Sequence, residues 1–222
     1  TNVFRDINIA FINELALMFE KLGIDTMKVL EAAKVKYNFQ AHYPGAGVGG
    51  PCLPINSYQL LNTAKRMGTK LSIVESGRKV NETMPDHVIN LTLDAFSECN
   101  KSLKNSKILV MGISYKPNIK DIQLSPAKNI IKKLQNLGAQ VHIYDPFFYS
   151  TEVFGLKVEE NFETVLSEMD AVVIVTGHDE FKQIALNTFS KTKILIDSRG
   201  IIDPVSIKNE NIIFRGLGRG KF

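Results

Sequence analysis

The apolar residues of this chain change their spacing once, near residue 100, and this change limits the folds that the chain can adopt. Before that point they recur at steps of three and four, the pattern of helices with one buried face. In the first helix they are Ile7, Ala10, Phe11, Leu15, Met18 and Leu22. After that point, short apolar runs of strand type alternate with helical segments. The sequence therefore predicts an all-helical part followed by an α/β part.

Caps and helix breakers set the bounds of the helices in the first part. Gly23 can stop the first helix, Asn56 or Ser57 can cap the third, and Pro85 is expected to break the last long one. The predicted helices are Asn2–Leu22, Thr26–Ala33, one from residue 56 or 57 to 66, 72–84 and 86–99. The stretch 37–54 has no period and is predicted to be a loop.

The second part has the order of a parallel sheet with crossover helices. Its predicted strands are 107–111, 141–144, 171–176, 193–197 and 212–214, and its predicted helices are 125–138, 161–167 and 180–186. The fold class is therefore α/β, with an all-helical domain over 1–100 and a Rossmann-like parallel-sheet domain over 101–222. Ligands are expected at the carboxyl ends of such strands.

Composition excludes several classes of protein. No apolar run reaches the roughly 18 residues that a membrane span needs. The two cysteines, Cys52 and Cys99, disfavour a disulfide framework, which favours a cytoplasmic protein. Because Thr1 rather than methionine opens the chain inside a helical pattern, we expect a fragment or a product of processing.

The charge balance favours a small anionic ligand over a nucleic acid. The chain has 27 basic and 23 acidic residues, and residues 101–222 hold the whole excess, with 17 basic and 13 acidic residues. This excess is too weak for a nucleic-acid surface. It suits a pocket for a phosphorylated ligand, and it is equally consistent with solvated lysines on helix faces.

The glycine-rich loop resembles a dinucleotide-binding turn only in its spacing. Gly45, Gly47 and Gly50 match G-x-G-x-x-G, but no strand precedes them, and Pro51 and Pro54 follow. A dinucleotide turn needs a strand before it and a helix opening directly from it. We therefore interpret these glycines as positions of close backbone approach or positive φ.

Cys52 is the candidate nucleophile. It follows the glycine loop and precedes a helix start, where amide dipoles favour a thiolate. The alternative is a small buried apolar side chain, the usual role of a free cysteine. Cys99 has no comparable setting and is interpreted as structural.

Few other residues suggest chemistry by spacing alone. His42, His87, His142 and His178 show no metal-ligand spacing, so no metal site is predicted. Lys116 follows the first strand of the second domain, where a parallel sheet receives anions. A solvated lysine is the alternative there.

Several segments, in order and spacing, resemble the UDP-glucose/GDP-mannose dehydrogenase family. They are FRDINIAFINELA from Phe4, PGAGVGGPCLP from Pro44, GISYKPNIKDIQLSP from Gly112, YDP from Tyr144 and DSRG from Asp197. The GVGG loop and the closing GLGRG are most similar to members that oxidise UDP-N-acetylmannosamine or UDP-N-acetylglucosamine. The resemblance covers the whole chain.

The resemblance implies a particular architecture and reaction. It assigns residues 1–100 to a central domain that dimerises through its helices and residues 101–222 to a UDP-binding domain. NAD would be bound mainly by an N-terminal domain that this chain lacks, so the chain alone is expected to be inactive. The primary alcohol of the sugar would be oxidised to a carboxylate in two NAD-dependent steps, through a thiohemiacetal and then a thioester on the cysteine. The product would be used in polysaccharide biosynthesis.

The family's functional residues match particular positions of this chain. Cys52 matches the family's nucleophilic cysteine, and Asn2 matches a catalytic asparagine. Asn56 occupies the position of an aspartate that follows the cysteine by four residues. The matched substrate contacts are Arg5, Lys36, Gly49, Tyr115, Lys116 and Arg199. A lysine four residues before Asn2 would lie outside this chain.

Four positions depart from the family pattern. Pro51 replaces histidine or serine, Asn56 replaces aspartate, Asn38 replaces arginine and Gln123 replaces arginine; in addition, Lys36 stands where histidine is frequent. An amide at Asn56 can hold water but cannot take up a proton. The first hypothesis is that this chain is part of a UDP-N-acetylhexosamine 6-dehydrogenase. The alternatives are a non-catalytic UDP-sugar-binding module and a UDP-glucose or GDP-mannose 6-dehydrogenase.

Overall fold

The computed structural model describes residues 1–207 and 212–220. Its first part contains four helices: α1 (Asn2–Leu22), α2 (Thr26–Ala33), α3 (Leu53–Arg66) and α4 (Ser72–Glu98). The bounds predicted for α1 and α2 are confirmed. Gly23 ends α1 in the left-handed conformation at φ 69°, and the Asp25 side chain caps α2 by accepting the Met27 N–H at 2.8 Å.

Two predictions for the helices of this first part are wrong. Helix α3 begins at Leu53 with Cys52 as its N-cap residue, so Asn56 and Ser57 lie inside it. Pro54 is compatible with this start because the first N–H groups of a helix have no intrahelical partner. Pro85 does not break the last helix, since α4 continues through it.

Packing explains why α4 tolerates Pro85. The second half of the helix buries Val88, Ala95 and Phe96 against the α/β part. In addition, the Arg215 guanidinium donates to Asp94 at 2.7 Å and to Glu98. Tertiary contacts therefore outweigh the loss of one backbone hydrogen bond.

The second part is a five-stranded, fully parallel sheet with helices on both faces, which confirms the predicted fold class. The elements are β1 (Lys107–Met111), α5 (Pro126–Asn136), β2 (Gln140–Tyr144), β3 (Glu152–Val153), β4 (Leu156–Lys157), α6 (Phe162–Leu166), β5 (Ala171–Ile174), α7 (Asp179–Lys182), a 3₁₀ helix (Leu186–Lys191), β6 (Ile194–Asp197), α8 (Pro204–Ile207) and β7 (Ile213–Gly216). The sheet order is β2-β1-β5-β6-β7, and β3 and β4 form a small separate hairpin that the sequence did not predict.

Alternate strand residues point to two apolar layers. Ile108 and Val110 of β1 face the layer formed with α4 and α5. Leu109 and Met111 face the opposite layer, where α6 and α7 pack. Because both faces are covered, the strands read as continuous apolar runs. No helix within the described ranges is long and apolar enough to cross a membrane.

The segment after β7 ties the sheet to the first two helices. The Gly218 carbonyl accepts the Thr26 N–H at 2.8 Å and the Thr26 hydroxyl at 2.6 Å, and the Gly218 N–H donates to Glu20 at 2.6 Å. Gly218 has φ 73°, and a Cβ there would lie 2.7 Å from the Thr26 hydroxyl oxygen and 2.9 Å from the Ala16 Cβ. The closing glycines therefore permit close contact between the two parts.

Replacing Gly218 with alanine is expected to lower the free energy of unfolding by about 2–4 kcal/mol, because left-handed backbone strain adds to overpacking. Gly68→Ala is the matched control, since Gly68 has φ 70° but a Cβ there would have no neighbour within 4 Å. It should cost only about 1 kcal/mol. Urea denaturation of both variants measures the difference, and equal losses would contradict a role for close packing at Gly218.

Candidate functional site

A cavity of about 1000 Å³ opens between α1, the glycine loop and the carboxyl ends of β1 and β6. It is lined by Thr1, Asn2, Phe4, Arg5, Ile9, Gln40, Ala41, His42, Tyr43, Gly47, Val48, Gly49, Leu53, Tyr115, Lys116, Pro117 and Arg199. The helical and α/β parts both contribute to it. The sequence expectation that ligands meet the carboxyl ends of the strands agrees with this position.

Six of the nine predicted site residues line this cavity: Asn2, Arg5, Gly49, Tyr115, Lys116 and Arg199. The other three lie outside its lining. Lys36 is exposed on the loop after α2, Cys52 is exposed at the start of α3, and Asn56 is half-buried one turn further along α3.

Cys52 nevertheless lies next to the cavity. Its neighbour Leu53 lines the cavity wall, and the Cys52 carbonyl accepts the Asn56 N–H at 2.9 Å as the first bond of α3. The free thiol is exposed, which contradicts the alternative of a small buried apolar side chain. Its role as a nucleophile stays a prediction.

The glycine loop is shaped by contacts with the α/β part. A Cβ at Gly50, where φ is 85°, would lie 2.5 Å from the Tyr115 ring, and a Cβ at Gly45 would lie 2.0 Å from the Arg199 guanidinium. The Gly50 N–H also donates to the Gln123 carbonyl at 2.9 Å. These contacts confirm the interpretation of close backbone approach.

The same contacts are incompatible with dinucleotide binding by the glycine loop. No strand precedes it, and the space beside Gly45 and Gly50 is filled by Arg199 and Tyr115. A dinucleotide-binding turn needs this space for the pyrophosphate. We therefore assign no described residue to NAD.

A buried hydrogen-bond network holds the glycine loop to the helices. The Asn13 side-chain oxygen accepts the Gly45 N–H at 2.9 Å, and the Asn13 amide donates to Asn81 at 2.9 Å. Asn81 in turn donates to the Asp6 carboxylate at 2.8 Å, which also accepts from Arg78 at 2.8 Å. All four side chains are buried. The network therefore joins the glycine loop to both α1 and α4.

Asp197 fixes the turn that presents Arg199. Its buried carboxylate accepts the N–H groups of Arg199, Gly200 and Ile202 at 2.8–2.9 Å. Burial raises the pKa of the Asp197 carboxyl, and these backbone donors oppose the rise. Burial also lowers the pKa of the Arg199 guanidinium, and Asp197 opposes that shift. Because an arginine starts from a very high pKa, Arg199 stays cationic at neutral pH.

The lining of the cavity is positively charged. Arg5 comes from α1, Lys116 from the loop after β1, and Arg199 from the turn after β6. None of the described lining residues is acidic. Three cations on separate elements suit an anion with several oxygens, such as a diphosphate.

Sequence reasoning missed several lining residues. His42 and Tyr43 lie in the aperiodic stretch before Pro44, where the sequence indicates no face or direction. The His42 ring meets Phe4 edge-on, with centroids 6.4 Å apart, and Lys34 lies over the Tyr43 ring at 5.2 Å. These contacts join the loop to α1 and α2.

Comparison with known proteins identifies two matching regions. Residues 1–83 match the profile described as UDP-glucose/GDP-mannose dehydrogenase family, central domain, and residues 109–204 match the profile described as that family's UDP binding domain. Together the two regions contain every residue named above in the cavity lining.

Individual relatives agree with this match. The chain is similar to the UDP-N-acetyl-D-mannosamine dehydrogenase of Pyrococcus horikoshii, with 35% identity over 99% of this chain and 50% of the relative. It is 32% identical to the UDP-N-acetyl-D-glucosamine 6-dehydrogenase of Salmonella typhi, over 90% of this chain and 48% of the relative. The crystal structure of NDP-N-acetyl-D-galactosaminuronic acid dehydrogenase from Methanosarcina mazei Go1 has a TM-score of 0.90 and 30% identity, over 98% of this chain and 49% of that one. The chain thus spans about half the length of these relatives.

Proposed function

This chain belongs to the UDP-glucose/GDP-mannose dehydrogenase family, and from that membership we propose that it is the dimerisation and UDP-sugar-binding part of a nucleotide-sugar 6-dehydrogenase. The cationic cavity carries the proposal. Arg5, Lys116 and Arg199 surround a space large enough for a nucleotide sugar, and no described lining residue repels a diphosphate.

The substrate we propose is a UDP-N-acetylhexosamine. The names of all three relatives described above refer to an N-acetylated sugar. UDP-glucose and GDP-mannose are the alternative substrates within the family. Oxidation rates measured with UDP-N-acetylmannosamine, UDP-N-acetylglucosamine, UDP-glucose and GDP-mannose distinguish these possibilities.

The residues of this chain would bind the substrate and capture its aldehyde. NAD would supply the oxidation chemistry by accepting a hydride in each of two steps, and we propose that it is held mainly by a domain outside this chain. The Cys52 thiolate adds to the aldehyde carbon, and the carbonyl oxygen takes a proton to give a thiohemiacetal. After the second oxidation, water adds to the thioester, the C–S bond breaks, and the products are the uronic acid and the free thiol.

The two asparagines have separate proposed roles. Asn2 lines the cavity beside Arg5, where its amide can hydrogen-bond a sugar hydroxyl or the developing oxyanion. Asn56 lies one helical turn after Cys52, where its amide can orient water. Because an amide does not take up a proton, the proton of the attacking water must go to another group. Lys36 is proposed to contact the substrate from the exposed loop after α2.

We also propose a homodimer through the central helices. Helices α1 and α4 leave a groove of about 440 Å³ with the large apolar side chains of Phe11 and Ile73 exposed beside it. A second copy of the chain would cover this apolar face. Localisation in the cytoplasm, which the cysteine content favours, stays a prediction.

Binding of UDP-N-acetylglucosamine and UDP-N-acetylmannosamine to the 222-residue chain tests the proposed site. Lys116→Met and Arg199→Met keep much of each side chain's volume but remove its charge, so each should raise the Kd about tenfold or more. Calorimetric titration measures the change. Lys128→Met on the exposed face of α5 is the control and should leave the Kd unchanged.

Alkylation of the thiols gives a second readout of the same site. Bound nucleotide sugar should slow the reaction of exposed Cys52 with iodoacetamide, whereas half-buried Cys99 provides an internal reference. Failure of the wild-type chain to bind any of the UDP-sugars would overturn the proposed function.

A non-catalytic UDP-sugar-binding module remains the second candidate. Asn56 favours this candidate, because a carboxylate at that position near the candidate nucleophile could act as a base and the amide of Asn56 cannot. Binding does not separate the two candidates, but NADH formation by the complete protein does. Tight binding without NADH formation from any of the four nucleotide sugars would favour the module.

A further inference from the structure

The loop between β1 and α5 places Tyr115 and Lys116 at the cavity. The backbone at the start of this loop is hydrogen-bonded to the buried carboxylate of Asp145. The Asp145 Oδ2 accepts the Ile113 N–H at 2.8 Å and the Ser114 N–H at 3.1 Å. Asp145 and Ser114 are both buried. The first residues of the loop are thus fixed to the end of β2.

His178 extends this support to the far side of Lys116. Its ring is fully buried, and its Nε2 lies 3.0 Å from Asp145 Oδ2. Its Nδ1 accepts the Asn118 N–H at 3.0 Å. An amide N–H only donates, so Nδ1 must carry the lone pair and Nε2 the proton. One imidazole therefore bridges the carboxylate and the loop backbone.

The surroundings of His178 restrict it to this arrangement. The rings of Phe147 and Phe181 lie against it, with centroids 5.1 and 5.2 Å away. Asn118 is in the left-handed region at φ 61°, and its side chain bonds Asp179, donating at 2.6 Å and accepting at 3.0 Å. The Asn118 backbone is thereby held with its N–H directed at the imidazole.

We propose that His178 is a positioning residue for nucleotide binding, acting through Asn118 on Lys116. The loop is attached at Ser114 and at Asn118, on either side of Tyr115, Lys116 and Pro117, and the Tyr115 N–H also donates to the Asp121 carbonyl at 2.9 Å. With the bond to His178 lost, Asn118 is held only by its exposed side-chain contacts with Asp179. The loop then samples more conformations, and the ammonium group of Lys116 must be ordered again whenever an anion binds. This inference rests on the proposed UDP-sugar site.

Two variants separate the two hydrogen bonds of the imidazole. His178→Gln keeps a donor toward Asp145 but removes the acceptor for Asn118. His178→Asn keeps an acceptor near the position of Nδ1 but removes the donor to Asp145. With UDP as the probe and the 222-residue chain as the protein, we expect His178→Gln to raise the Kd about tenfold, and His178→Asn to raise it less.

A double-mutant cycle with Lys116→Met distinguishes positioning from general loss of structure. If His178 acts through Lys116, then His178→Gln should change the Kd for UDP less than about twofold in the Lys116→Met background. Equal effects in both backgrounds would overturn the proposal. Lack of UDP binding by the wild-type chain would instead overturn the proposed function together with it.

Measurements on the wild-type chain test the geometry even where variants do not fold. The ¹⁵N chemical shifts of His178 should report a neutral ring protonated at Nε2, and the Asn118 amide should exchange slowly with solvent. A proton on Nδ1, or an unprotected Asn118 amide, would overturn the proposal.

Discussion

Replacing Cys52 with serine is expected to lower formation of the uronic acid from a UDP-N-acetylhexosamine by at least about a thousandfold in the complete enzyme that we propose contains this chain. A serine hydroxyl at the same N-cap position is a far weaker nucleophile than a thiolate, so the aldehyde would not be captured for the second oxidation. The side chains are similar in size, and Cys52 is exposed, so folding should not change. Chromatography of the uronic acid formed at saturating substrate measures the rate.

Cys99→Ser is the matched control for this experiment. Cys99 ends α4 away from the cavity lining, and its replacement should leave the rate within about twofold of wild type. The binding affinity of Cys52→Ser for UDP should also be unchanged, because Cys52 lies outside the cavity lining. Normal turnover by Cys52→Ser would contradict its role as the nucleophile.

The fold was largely predictable because its signals are local. The spacing of apolar residues and the caps at Gly23, Asp25 and Ser125 determine α1, α2 and α5 through residues that are close together in the sequence. The error at Pro85 arose where distant contacts decide. Pro85 breaks a helix by local rules, but the α/β part packs against the helix beyond it.

The candidate site was predictable only in part. Lys116 follows β1, so the parallel-sheet rule placed it at the correct edge. The contact between Gly45 and Arg199 joins residues more than 150 positions apart, and no spacing in the sequence indicates it. The pairing of Asp145 with His178 depends on β1 lying between β2 and β5, which only the sheet order shows.

Asp145 is therefore expected to be the most costly polar residue to remove from the α/β part. Its carboxylate accepts N–H groups from Ile113, Ser114, Phe147 and the His178 ring. Asp145→Ala leaves these donors buried without an acceptor, so it should lower the free energy of unfolding by about 3–5 kcal/mol at pH 7. Chemical denaturation followed by circular dichroism measures the loss.

The pH dependence of that loss provides the sharper test. Burial works against ionisation of Asp145, but its hydrogen bonds with His178 and the backbone lower the carboxyl pKa below its usual value. A lowered folded pKa gives stability that is complete above the unfolded pKa of about 3.9 and is lost as the pH falls through the folded value. The difference between wild type and Asp145→Ala should therefore shrink below about pH 5.

Asp203→Ala is the matched control for both measurements. Asp203 is exposed, and its side chain accepts only the Val205 N–H among the described contacts, at 3.1 Å. Its replacement should cost about 1 kcal/mol or less. A loss at Asp145 no larger than that at Asp203, or one independent of pH between 3 and 7, would contradict the assignment of the Asp145 carboxylate as the anchor of the β1–α5 loop.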